Sequence, residues 1–260
     1  MEEMGILDMM DNIYGTFNAP RRNDKYEQLW HKLAPQYTDE ALKDVVEHNN
    51  GLTQKKNEII ELWQLFDRMQ PHLILEIGVS QGGTFASWCQ LAPDDALIIG
   101  IDRCVNDCRP HPGSMWLGAF CGPVHPDIAS PEVLRKTQNG GGMYDLKRRG
   151  SNQTIVAIEG WSYEDHVMQQ LLDVLGGRKI EFCFHDASHE KSMTQKDFEL
   201  YWPLIAEGGI MAFHDICYCA HPDVTKNEWW EKIRKDGPQT TMYSYESKAN
   251  ASFGIGVLFK

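Results

Sequence analysis

The chain has 260 residues, 42% of them apolar and 24% charged, which is too apolar for a wholly disordered protein. At about 150 residues per domain, that length allows one to two domains. The formal charge of −12 disfavours a general nucleic-acid binder, and only short basic runs appear, such as Arg21-Arg22 and Lys147-Arg148-Arg149. No apolar run approaches the ~20 residues of a membrane span, so no membrane association is expected. The acidic start, MEEMGILDMMD, does not read as a secretory signal. Seven cysteines, an odd number, suit reduced thiols in a cytoplasm better than a disulfide framework.

Residues 1–70 read as a helical extension. Tyr26, Leu29, Trp30 and Leu33 lie on one helical face, with Asn23 as a cap. Thr38 caps a second helix carrying Leu42, Val45 and Val46. Ile59, Ile60, Trp63 and Phe66 form a third apolar stripe, which Pro71 stops. The pattern then changes. HLILEIGV (72–79) is a buried strand, Thr84–Leu91 a helix, and Ala96–Ile101 a second strand. Residues 103–153, with five prolines up to 152 and a run of glycines at 140–142, read as a lid-like insertion. Thr154–Ile158 is a third strand, followed by a helix through Leu175. Ile180–Phe184, Gly209–Phe213, Thr241–Tyr245 and Phe253–Phe259 are further strands. Helices over Thr194–Ile205 and Glu228–Lys235 separate them. This alternation predicts an α/β domain over 71–260: a mostly parallel sheet with helices on both faces and an antiparallel pair at the end. Ligands of such sheets bind beyond the carboxyl ends of the strands, so the chemistry is expected just after each strand.

The first strand-to-helix turn reads Glu76-Ile-Gly78-Val-Ser80-Gln-Gly82-Gly83-Thr84. Its glycines allow close approach of a ligand to the backbone at a helix N-terminus. Ser80 stands where a dinucleotide fingerprint needs glycine to admit a pyrophosphate, which disfavours NAD and an oxidoreductase. Asp102 ends the second strand, where a carboxylate can accept both hydroxyls of a ribose. Trp161 and Ser162 follow the third strand and either border an adenine or cap the next helix.

ILEIGVSQGGT, GID, IEGWS, FHDASH, WPLIAEGGIMAFHDI and FGIGVLF, in this order, resemble a class I S-adenosylmethionine-dependent methyltransferase. The HDASH and GGIMAFHDI segments are similar to those of the metal-dependent sugar and natural-product O-methyltransferases, the macrocin, mycinamicin and cephalosporin-hydroxylase-like group. The resemblance implies a Rossmann-like, seven-stranded sheet with an antiparallel last strand. It also implies that Glu76, Gly78, Ser80, Gly82 and Thr84 line the methionine and ribose of S-adenosylmethionine, with Asp186 nearby. Asp102 would bind the ribose hydroxyls, and Trp161 with Ser162 would border the adenine. Such enzymes are often homo-oligomers built partly through N-terminal extensions, so a homo-oligomer is expected.

Asp186 follows the fourth strand, and His214-Asp215 follow the fifth. Strands ~4.8 Å apart bring such side chains onto one ion. Two carboxylates with water and a substrate oxygen suit a divalent metal, Mg²⁺ first. His189, three residues after Asp186, is the expected general base, since a neutral imidazole is matched to that task near pH 7. His185 precedes Asp186 and should point to the other face, where it can instead line the cofactor pocket. Close relatives often place a carboxylate where His214 stands. His214 is therefore a third ligand better suited to Mn²⁺, Fe²⁺ or Zn²⁺, or a substrate donor, or packing under the loop. Glu190 is another conceivable carboxylate.

Cys104, Cys108, His111, Cys121 and His125 form a pattern that can hold zinc but matches no standard zinc motif, so buried thiols are the plainer reading. Met115, Trp116 and Phe120 are candidates for an apolar wall of the insertion. Tyr218 and His221 are candidate acceptor contacts. The expected function is methylation of a hydroxyl on a sugar or glycosylated small molecule. The alternatives are a phenol or catechol acceptor, or a cofactor-binding protein without catalysis.

Overall fold

The computed structural model describes residues 24–33, 54, 56–79, 82–103, 150–217, 225–236, 242–245 and 254–260. Ser80, the residues named above between 104 and 125, the glycines at 140–142, Asn23, Thr38 with its following helix, Tyr218 and His221 lie outside them.

Helices α1 (Asp24–Leu33) and α2 (Lys56–Met69) precede strand β1 (Leu73–Ile77). Then come α3 (Gly83–Leu91), β2 (Leu97–Asp102), β3 (Thr154–Glu159), α4 (Asp165–Leu175), β4 (Ile180–His185), α5 (Lys191–Tyr201), β5 (Ile205–His214), α6 (Lys226–Asp236), β6 (Met242–Tyr245) and β7 (Ile255–Phe259). The sheet order is β3-β2-β1-β4-β5-β7-β6. Pairings from β3 through β5 are parallel, and β7 runs antiparallel to both β5 and β6. β1 pairs with β2 on one side and β4 on the other, so the strand order reverses there and a crevice opens beyond its carboxyl end.

Side chains alternate between two faces. Ile74, Ile98, Phe182, Phe184, Ile210 and Ala212 point to a layer containing Tyr26, Leu29, Trp63, Phe66 and Trp88 of α1, α2 and α3. The Phe66 ring centroid lies 4.7 Å from that of Phe182 and 5.0 Å from that of Trp88, so α2 shares the aromatic core of the sheet. Leu75, Ile77, Ile99, Cys183, Met211 and Phe213 point the other way, to Val167, Leu171, Phe198, Tyr201, Trp229 and Ile233 of α4, α5 and α6.

One boundary differs from the sequence reading. The helix expected through Ile205 ends at Tyr201, a 3₁₀ turn spans Trp202–Leu204, and β5 begins at Ile205 rather than Gly209. Pro203 has no N–H to continue the helix. Ile205 pairs with Ile180, and a register shift before the Phe182–Ile210 pair absorbs the extra residues, including Gly208 at φ 78°.

Candidate active site

Glu76 pairs in register with Gly100 and Phe184, and Phe184 with Ala212. Two residues further along their strands come Asp102, Asp186 and His214. Strand alternation therefore puts Glu76, Asp102 and His214 on the α2–α3 face, and Asp186 joins them there through His214. The Glu76 carboxyl is buried and its Oε2 accepts no hydrogen bond. Burial first, and the charge of Asp186 second, hold its pKa well above the usual carboxylate range.

Gly78 turns the chain at φ 85°, and a Cβ there would stand 2.6 Å from the Asp186 carbonyl carbon and from the Ala187 Cα. The bare backbone lets β1 and β4 close together at the crevice. The Gly78 N–H donates to the Ile101 carbonyl at 2.9 Å, and the Val79 N–H donates to Asp102 Oδ2 at 2.9 Å. Asp102 thus pins the glycine turn from the end of β2. Gly82 caps α3 at φ 82° without a side-chain hydrogen bond, so a helix N-terminus stands at the turn. Thr84 is buried in the first turn of α3, and its carbonyl accepts the Ser87 hydroxyl at 2.6 Å.

Beyond β3, Trp161 is 45% exposed. It stacks on Tyr163 at 5.9 Å, and the Arg103 guanidinium lies 5.2 Å from its ring centroid. Ser162 is buried, and its hydroxyl donates to Asp197 Oδ1 at 2.6 Å. That proton is committed to the carboxylate, so the Ser162 oxygen faces other partners as an acceptor. The other oxygen of Asp197 lies 2.8 Å from His185 Nε2. His185 is therefore on the α4–α6 face, opposite Asp186, and fully buried under α5. Burial, then the charge of Lys226, lowers its pKa and favours the neutral ring.

The structure brings together Asp186, His214 and Asp215, whose ligand atoms lie within 4.8 Å of one another. His214 Nδ1 lies 3.1 Å from Asp186 Oδ1 and 3.4 Å from Asp215 Oδ2. Burial alone would lower the pKa of this imidazole, but Asp186 and Asp215 outweigh it and push the pKa up to about 10. Asp215 adopts φ 60°, a left-handed conformation that Asp tolerates better than most residues. The turn aims one carboxylate at two histidines, because Asp215 Oδ2 also lies 3.0 Å from His189 Nδ1. Burial raises the Asp215 pKa, and its hydrogen bonds with His189 and His214 more than reverse this, leaving it well below the usual range. The His189 side chain is 51% exposed, so its ring reaches the open side of the crevice. The carbonyl of His189 accepts the N–H groups of Thr225 and Lys226, both at 2.9 Å, which ties the loop after β4 to the start of α6. Glu190 is exposed, precedes α5, and lies outside the three-residue cluster.

Four buried polar residues around the site had no motif to reveal them. Gln54 and Glu58 approach from the N-terminal segment, Asp197 from α5 and Lys226 from α6. Gln54 Nε2 donates to Asp186 Oδ2 at 2.6 Å. Lys226 is fully buried, its Nζ makes no hydrogen bond, and burial lowers its pKa against the charges of Asp215, Asp186 and Asp197. The one available signal was the four-residue spacing of Gln54 and Glu58 beside an apolar helical stripe.

Residues 75–216 match the sequence model of a family described as a methyltransferase domain. The chain belongs to this family. The matched region spans the glycine turn, Asp102, the Trp161 loop and the Asp186–His214–Asp215 cluster. No curated protein sequence matches the methyltransferase. Its fold is shared with the O-methyltransferase from Bacillus cereus solved with S-adenosylhomocysteine, at 14% identity, 97% coverage of both chains and a TM-score of 0.50. A protein from Staphylococcus aureus assigned as a caffeoyl-CoA O-methyltransferase is similar at 15% identity, a TM-score of 0.52, and coverage of 92% of this chain and 100% of that one. The methyltransferase has the class I S-adenosylmethionine-dependent fold. Among the described residues, no helix is long and apolar enough to cross a membrane.

Proposed function

We propose that this methyltransferase transfers the methyl group of S-adenosylmethionine to a hydroxyl of a sugar or glycosylated small molecule, with a divalent cation at Asp186, His214 and Asp215 and His189 as general base. The observation that carries the reading is the 3.0 Å contact between His189 Nδ1 and Asp215, beside the three-residue cluster. With Nδ1 held by the carboxylate, Nε2 of the half-exposed ring is left to take the proton of an acceptor hydroxyl. Asp215 fixes the orientation of the ring and stabilises the imidazolium as it forms, the role of the carboxylate in acid–histidine pairs.

The donor set fits a cation: two carboxylates and an imidazole converge, and the Asp186 and Asp215 side chains keep 18% and 14% exposure for an incoming oxygen. A bound cation supplies electrostatic stabilisation of the acceptor oxygen as it loses its proton. The cofactor side fits a sulfonium nucleoside. We assign the ribose hydroxyls to Asp102, at the end of β2 beside the glycine turn, and the positively charged methionine moiety to the buried carboxyl of Glu76. S-adenosylmethionine supplies an already activated methyl group, so what remains for the chain is alignment and exclusion of water. We assign residues 71–260 to this catalytic unit and 1–70 to a helical extension.

Calorimetric titration of S-adenosylmethionine and then Mg²⁺ into chelator-treated protein tests the reading. Asp102→Ala is expected to weaken cofactor binding at least tenfold and leave the cation bound. Asp186→Ala is expected to do the reverse. Cofactor binding without uptake of Mg²⁺, or of Mn²⁺ or Zn²⁺ titrated in its place, would remove the metal from the proposal and leave His189 to act alone.

A further inference from the structure

The cation reading leaves the choice of ion open, and the N-terminal segment bears on it. Gln54 and Glu58 are four residues apart and both buried. Gln54 Nε2 donates to Asp186 Oδ2 at 2.6 Å, while its own Oε1 is buried with no hydrogen-bond partner. Glu58 Oε2 accepts the Gly254 N–H at 3.1 Å, just before β7, and lies 4.0 Å from His214 Nε2. The opposite ring nitrogen, Nδ1, faces Asp186 Oδ1 at 3.1 Å and Asp215 Oδ2 at 3.4 Å. The imidazole therefore has one carboxylate behind it and two ahead of it. Metal-bound histidines share this outline: one nitrogen ligates, and a carboxylate stands behind the other and raises its basicity, here at ion-pair rather than hydrogen-bond distance.

We propose that His214, with the Glu58 carboxylate 4.0 Å behind its Nε2, is a cation ligand through Nδ1, and that this pair biases the centre away from Mg²⁺ and towards ions that accept imidazole, Zn²⁺ above all. The inference rests on the cation reading given above. Mg²⁺ is a hard ion that seeks oxygen in a nearly ideal octahedron. An imidazole fixed in the site costs it an oxygen position, whereas Zn²⁺ takes mixed nitrogen and oxygen ligands readily. Glu58 comes from α2, outside the matched methyltransferase region, so the preference belongs to this chain's own extension.

Mn²⁺ serves as the reporter. Pulsed EPR of the wild-type protein loaded with Mn²⁺ is expected to show ¹⁴N coupling from one imidazole, a readout that needs no variant and no substrate. Displacement of that Mn²⁺ is then followed by the EPR signal of the freed ion, which confines the measurement to this site. Zn²⁺ is expected to displace it at concentrations at least a hundredfold below those of Mg²⁺. His214→Asn should narrow that ratio at least tenfold. Glu58→Gln should weaken Zn²⁺ roughly tenfold to a hundredfold with a smaller effect on Mg²⁺. Bound Mn²⁺ without ¹⁴N coupling, or an unchanged ratio in His214→Asn, would overturn the inference and leave an all-oxygen cation centre. If wild-type protein holds no Mn²⁺ at all, the cation reading falls and the ion preference falls with it.

Discussion

Gly78 is constrained twice over, by its positive φ and by the backbone of residues 186–187 lying where a Cβ would go. Left-handed strain costs a non-glycine residue roughly 1–3 kcal/mol, and the overlap with backbone adds to it because neither strand end can swing away. Gly78→Ala is expected to lower the urea midpoint and weaken S-adenosylmethionine binding together; an unchanged midpoint would mean that the turn can relax. His189 is constrained by chemistry instead. His189→Gln should keep cofactor affinity and lower kcat by roughly a hundredfold to ten-thousandfold, read as S-adenosylhomocysteine release with a glycoside acceptor. His214 makes a prediction about stability in the metal-free protein. Its folded pKa of about 10 lies above the ~6.5 of an unfolded histidine, so the folded state binds the extra proton. The resulting stabilisation is fully present below pH ~6.5 and is lost as pH rises towards 10. Thermal unfolding in chelator should show Tm falling across that interval in the wild type, with a shallower fall in His214→Asn. A wild-type profile as shallow as the variant's would remove His214 as the source.

One buried acid, Asp197, holds two elements together. Asp197 on α5 takes the Ser162 hydroxyl on one oxygen and His185 Nε2 on the other, joining the loop after β3 to the end of β4. Tyr201, one turn further along α5, donates to the Ser162 carbonyl at 2.6 Å. Asp197→Ala would strand two buried polar groups at about 1–3 kcal/mol each, and it should loosen the Trp161 loop. A drop in the denaturant midpoint, with faster amide exchange at residues 160–163, is the expected result; slow exchange there would show that Tyr201 holds the loop by itself. At this scale the sequence was legible where chemistry and periodicity coincide. The strand runs, the glycine turn, and Asp102, Asp186 and His214-Asp215 at strand ends could all be read from order and spacing. Asp197 could not, because an acid within KSMTQKDFELY looks like a solvated helix residue until the packing of Phe198 and Tyr201 turns it inward. Lys226 is similar: charged residues around it suggest an exposed first turn, while Trp229 and Trp230 bury that face of α6. The early start of β5 was hidden because Ile205 pairs through a bulge that no two-residue alternation announces.

For the whole molecule, the question is whether the N-terminal helices are an appendage or part of the catalytic body. The apolar stripe on α2 packs against the sheet. Trp63 and Phe66 are completely buried, Trp63 Nε1 donates to Ser87 Oγ at 2.8 Å, and the Phe66 ring lies among Trp88 and Phe182. α1 is in turn fastened to α2 by Lys25 and Tyr26, both bonded to Asp67 at 2.7–2.8 Å. Losing a single buried Trp or Phe of this kind costs about 3–5 kcal/mol, comparable to much of a domain's net stability of roughly 5–15 kcal/mol. Removing residues 1–70 takes away several at once, bares Phe182, Phe184 and Trp88, and withdraws Gln54 and Glu58 from Asp186 and His214. The truncated chain is therefore expected to bind a hydrophobic dye, to lose its cooperative thermal transition, and to bind neither cofactor nor cation. A truncated chain that unfolds cooperatively at the wild-type midpoint would show that the sheet closes its own core. If it also kept Mn²⁺ with full affinity, the extension would have no part in the cation centre.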